Sequence, residues 1–210
     1  FPDNMTNRDR DSVIFYLDPD QIILRPFLND FSDDEWPLLE PDEVPKTKVE
    51  HGHPIGQRYM LGTSFKDVNL EYVFQGESSP VANLGHNEAR KGYMVGPPYV
   101  LTGADFHRLL QTWTSIVSRV YDVMPVHISE MHAYQIAAAH EQLSHQTSSS
   151  LMVGNPTVPI GEEGWSTVDN LPLENSCQVY PTIPKSIHYC QPLTVGAYTF
   201  YKGYMPGNFM

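Results

Sequence analysis

The 210-residue chain carries 13 Lys+Arg against 25 Asp+Glu, a formal charge of −12, with 40% hydrophobic and 11% aromatic residues. It is long and apolar enough for one domain with a proper core, which excludes intrinsic disorder. The acidic balance argues against a nucleic-acid partner, which needs a basic stripe, and against an anionic membrane surface, but it leaves open a phosphorylated ligand held through a metal ion.

The predicted elements begin with Ser12-Val13-Ile14-Phe15-Tyr16-Leu17, a short β-branched and aromatic run. It reads as a strand buried on both faces, as in a parallel sheet. Asp18-Pro19-Asp20 ends it, and Gln21 to Phe27 reads as a second extended piece. Residues 29–48 form an acidic, Pro-rich surface loop within the single domain, with one helical turn expected near Asp33-Glu35-Trp36. From His51 to Tyr99 glycines are frequent and elements are expected to be short.

Thr102, with Asp105 three residues on, predicts a capping box opening a helix. Phe106, Leu109, Leu110, Trp113, Ile116, Val117, Val120 and Tyr121 follow at helical spacing, and Pro125 lies past its end. A second helix is predicted from Ser129 to about Ser144, with Ala137-Ala138-Ala139 marking close packing. After Thr147 loops alternate with short strands, among them Ile187-His188-Tyr189-Cys190 and Ala197 to Tyr201. The fold class expected is α/β, a mixed sheet with flanking helices.

No apolar run is long enough to span a bilayer, and no signal peptide opens the chain. Phe1 is read as a cut end, with any targeting signal expected upstream. Cys177 and Cys190 can pair in a luminal protein and would stay reduced in a cytosolic one, and Asn4-Met5-Thr6 is a candidate glycosylation triplet.

The chemistry concentrates at Asp18-Pro19-Asp20. Two carboxylates at i and i+2, turned by proline at the carboxyl end of a strand, can reach one divalent cation, Mn²⁺ or Mg²⁺, which can hold a nucleotide diphosphate. The plain alternative is a strand-to-turn junction, where Asp and Pro are both common. Gly161-Glu162-Glu163-Gly164-Trp165 is either a mobile substrate lid or a surface turn. His132, His140 and His145 are not spaced as a tight helical pair or an HExxH arrangement.

The segment Ile14 to Phe27, with its strand, Asp-Pro-Asp, apolar residues and Arg25-Pro26, resembles the acidic motif of GT-A glycosyltransferases. Gly92 to Leu109, Trp113, Ser129-Glu130-Met131-His132-Ala133-Tyr134, Ile187 to Gln191 and Phe200-Tyr201-Lys202 resemble one group of them. These are the peptidyl serine α-galactosyltransferases and hydroxyproline O-arabinosyltransferases of plants and green algae. The resemblance runs from about Ser12 to the end.

It implies that Asp18 and Asp20 hold the metal and, through it, the diphosphate of a UDP-sugar, with His188 completing the metal shell. Glu130 would orient the acceptor or stabilise charge at the anomeric carbon, its alternative being helix N-terminal electrostatics. Lys202 would neutralise the leaving diphosphate, its alternative an exposed strand lysine. The implied reaction is transfer of galactose or arabinofuranose to serine or hydroxyproline hydroxyls of a protein acceptor, with retention. Asp-Pro-Asp, rather than Glu-Pro-Asp, leans towards galactose. The implied setting is the Golgi or ER lumen, with a type II membrane anchor upstream.

Only seventeen residues precede Asp18, so the half of a GT-A domain that binds the nucleotide base and ribose is missing here, and its presence or absence upstream decides between an enzyme and a remnant. Two rival readings are a non-catalytic glycan- or partner-binding remnant of this fold and a non-haem Fe(II) oxygenase. The latter would use His86 and Glu88 with His145 or His188, but its double-stranded β-helix does not suit the two helices.

Overall fold

A computed structural model describes residues 6–30, 47–59, 61–149, 151–154, 185–188, 193–195 and 197–200. It is mixed α/β. A four-stranded sheet has the order β1-β4-β3-β5, from Val13–Tyr16 (β1), Ile55–Arg58 (β3), Val95–Thr102 (β4) and Gln146–Ser148 (β5). β3 and β5 run parallel, and the other neighbours are antiparallel. A second sheet has the order β2-β7-β6, from Gln21–Ile23 (β2), Met152–Val153 (β6) and Ser186–His188 (β7). Leu193–Val195 (β8) and Tyr198–Phe200 (β9) form an antiparallel pair.

β4 organises the core because its side chains alternate between faces. Val95, Tyr99 and Leu101 join the main cluster with Leu109, Ile116 and Val120 of α4 (Gly103–Val123) and much of α5 (Ser129–His140). Val100 turns the other way, into a smaller cluster with Val49, Ile55 and Leu151. Pro97 and Pro98 occupy a β-bulge, where the register passes from Gly56↔Tyr99 to Gln57↔Gly96. The prolines therefore sit where no ladder N–H is required.

β1 departs from the expectation of a strand buried on both faces in a parallel sheet. It is half-buried along its length and, among the described residues, pairs only with β4, antiparallel. Its composition is explained by packing on both faces: Val13 and Phe15 reach the small cluster, Tyr16 the large one. Its open edge leaves it half-exposed.

The two long helices form as expected. Thr102 caps α4 by accepting the Asp105 N–H at 3.3 Å. The Asp105 carboxylate does not close a capping box. It accepts instead from the Thr102 hydroxyl and the Gly52 N–H, at 2.9 and 2.8 Å. Tyr121, expected on the core face, is exposed. α5 ends at His140 and is buried nearly all round, Ala137 to Ala139 included, as a helix without a polar stripe must be.

Shorter helices α1 (Asn7–Asp11), α2 (Leu70–Val73) and α3 (His86–Gly92) complete the described residues, with 3-10 turns at Ser64–Asp67 and Pro80–Asn83. No helix among the described residues is long and apolar enough to cross a membrane. The helical turn expected near Asp33-Glu35-Trp36, the 161–165 lid, both cysteines, Lys202 and most of the glycosylation triplet lie outside the described residues.

Candidate metal centre

The Asp18-Pro19-Asp20 turn carries the chain from β1, in the first sheet, to β2, in the second. Antiparallel pairing of β2 with β7 sets Gln21 opposite His188 and so brings the distant histidine to the turn. One ligand atom each from Asp18, Asp20 and His188 lies within 4.8 Å of the others, the sole such grouping of His, Cys, Asp and Glu among the described residues. His188 Nε2 stands 3.2 Å from Asp20 Oδ1. The imidazole is buried and both carboxylates are half-buried.

Nδ1 of His188 is buried and has no hydrogen-bond partner among the described residues. The ring is thus committed on one side only, towards Asp20. Two hard carboxylate donors and one imidazole suit Mn²⁺ or Mg²⁺ better than a thiophilic metal. The residues present fit a divalent cation.

Gln21, which sequence reasoning passed over, fixes the turn. Its N–H donates to Asp18 O at 3.0 Å, and its Oε1 accepts from the Asp18 N–H at 3.3 Å. Its Nε2 donates to Pro97 O at 3.1 Å and to Met152 Sδ at 2.9 Å. One amide therefore ties the acidic turn to a strand of each sheet. The available signal was a polar side chain directly after the acidic pair, at the start of an otherwise apolar strand.

Beside the turn stands a group of aromatic rings. Tyr16 meets Trp113 edge-on at 5.8 Å, Trp113 meets Tyr134 at 5.2 Å, and Tyr134 stacks on Tyr99 at 3.7 Å. Burial raises the Tyr16 hydroxyl above its ordinary range, and the carboxylates of Asp18 and Glu130 raise it further. Tyr16 is thus within electrostatic reach of both carboxylates. Glu130 itself is exposed, in the first turn of α5, and its carbonyl accepts from Trp113 Nε1 at 3.0 Å. Tyr99 is raised well above its ordinary value, chiefly by burial.

Four other histidines are engaged elsewhere. His145 donates from Nδ1 to Leu143 O at 2.9 Å, so Nε2 accepts from the Tyr134 hydroxyl at 2.8 Å. Complete burial pushes its pKa down to about 4. His132 bonds Gln135 and His140 bonds Ser79. His86 is exposed beside Thr63 and Asp67. The His86/Glu88 triad of the oxygenase reading does not assemble among the described residues. No protein-family model, curated protein or solved structure matches this chain.

Proposed function

We propose that this chain is the metal-binding and acceptor-side part of a GT-A-type glycosyltransferase. It would move galactose or arabinofuranose from a UDP-sugar to serine or hydroxyproline hydroxyls of a hydroxyproline-rich protein in the Golgi or ER lumen. The observation that carries the reading is the convergence of Asp18, Asp20 and His188 within 4.8 Å. The motif resemblance, in its correct order along the chain, supplies the reaction class.

Asp18, Asp20 and His188 would hold Mn²⁺ or Mg²⁺, which would supply positive charge to the donor diphosphate. Gln21 orients Asp18 through both its backbone groups. Glu130 would act on the acceptor, where a carboxylate can orient the incoming hydroxyl or stabilise positive charge at the anomeric carbon. Trp113, bonded to the Glu130 carbonyl, fixes the start of α5 that carries this carboxylate.

A thermal-shift titration of the intact protein with UDP, with and without Mn²⁺, tests this, alongside Asp20→Ala. A ligand at a hundred times its Kd adds about 2.7 kcal/mol of stability. The expected result is stabilisation by UDP only with Mn²⁺, abolished by Asp20→Ala. Stabilisation by Mn²⁺ alone, with UDP adding nothing, would favour a non-catalytic binding remnant. No response to either would make the acidic turn a structural one.

A further inference from the structure

At the opposite end of β1 from the acidic turn, a cleft of about 300 Å³ opens between α1, the bend at His51 and the first turns of α4. Among the described residues its walls are Arg10, His51, Ala104, His107 and Arg108. Four of the five carry nitrogen cations or imidazoles, and none is a carboxylate, in a chain of net charge −12. The two arginines bring positive charge to a concave wall, which focuses their field on whatever enters.

The cations are anchored from behind. Asp105 is fully buried, with Oδ2 accepting from the Gly52 N–H and the Thr102 hydroxyl. Its Oδ1 receives no aligned hydrogen bond but lies 2.8 Å from His51 Nδ1 and 3.7 Å from a terminal nitrogen of Arg108. Arg108 Nε is held by Glu141 at 3.2 Å. His51 thus lies against Asp105 through Nδ1 while its side chain stays 70% exposed. Arg108 is pinned along one edge with 45% of its side chain exposed. Two buried or half-buried carboxylates thus hold a guanidinium and an imidazole at the cleft, the preorganisation that oxyanion recognition rewards. The helix terminus itself offers little, because the Gly103 N–H donates to Ser12 O and the Asp105 N–H to Thr102.

We propose that this cleft binds a tetrahedral oxyanion, a phosphate or sulfate group free or on a small monoester, independently of the Asp18/Asp20/His188 centre. The volume lies at the lower end of small-molecule sites, enough for the anion and a small organic group. Arg10 and Arg108 supply charge and N–H donors from two sides, and His51 adds a ring nitrogen.

The test is an NMR titration of the intact protein with inorganic phosphate, without added metal, following the His51 and His107 ring signals. Sulfate and acetate titrations run in parallel. The expected result is a saturable shift of both rings with phosphate and sulfate, weakened at least tenfold by Arg10→Gln and by Arg108→Gln. Arg10 is exposed and His107 lines the cleft, so Arg10→Gln and His107→Gln keep the test alive if Arg108→Gln unfolds. Absence of saturation, or a response equal in wild type, Arg10→Gln and His107→Gln, overturns the proposal. Equal affinity for acetate overturns the ligand class.

Discussion

Below neutral pH the buried His145 should make this protein progressively less stable, by an amount the structure sets. Both of its nitrogens are used in the neutral form: Nδ1–H donates to Leu143 O, and Nε2 accepts from Tyr134. Protonation would turn that acceptor into a donor facing a hydroxyl, inside a site with no solvent. Burial accordingly lowers the pKa from the ordinary 6.5 to about 4. Above 6.5 neither the folded nor the unfolded chain binds this proton, so the contribution is fully present. As pH falls below 6.5 the unfolded chain takes up the proton first, and stability falls by about 1.4 kcal/mol per pH unit until the folded pKa is reached. The loss over the whole interval is about 3 kcal/mol. His145→Gln keeps an acceptor for Tyr134 and removes the titration. Urea unfolding of both proteins from pH 7.5 to 4.5 isolates the effect, since the carboxylates are common to both. The wild type should lose ground against the variant as pH falls below 6.5. Parallel curves through that interval would refute the claim that His145 is buried as a neutral base.

Two further substitutions test the packing that positions the sites. A Cβ on Gly103 would lie 2.1 Å from Asp9 O, so Gly103→Ala must displace α1 from α4, at about 1–3 kcal/mol in urea unfolding. Unchanged stability, with amides of α1 still protected, would show that α1 is not seated there. Gln21→Ala removes the amide that ties Asp18 to both sheets, so Mn²⁺ affinity by calorimetry should fall roughly tenfold with circular dichroism unchanged. An unaltered affinity would mean the acidic turn is held without Gln21.

Local signals in the sequence were sufficient for several elements. The periodic face from Phe106 and the Thr102 cap define α4, and the alanine run in α5 corresponds to burial on all sides. β1 was legible as a strand but not in its sheet context, since apolar residues at successive positions also suit an edge strand packing on two clusters. β4 was hidden by Pro97-Pro98, which argue against a central strand until the bulge opposite Gly56 and Gln57 is known. At the site, Asp18 and Asp20 were named from their spacing at a strand end and His188 from motif resemblance, and the β2–β7 register brings them together. Gln21 and the Asp105–His51 contact were not legible. Their meaning depends on partners distant in the chain, such as Pro97, Met152 and Gly52, and no local spacing encodes those.

The position of the acidic turn between the two sheets has a mechanical consequence. Asp20 and His188 are far apart in sequence, yet β2 and β7 hold them together through only three paired residues each. A ligand that engages Asp18, Asp20 and His188 at once is therefore a clip across a very long loop, and restraining such a loop removes more freedom from the unfolded chain than restraining a short one. Occupancy would register far from the carboxylates, as slower amide exchange along β7 and β6, so the second sheet would act as a strain gauge for the site.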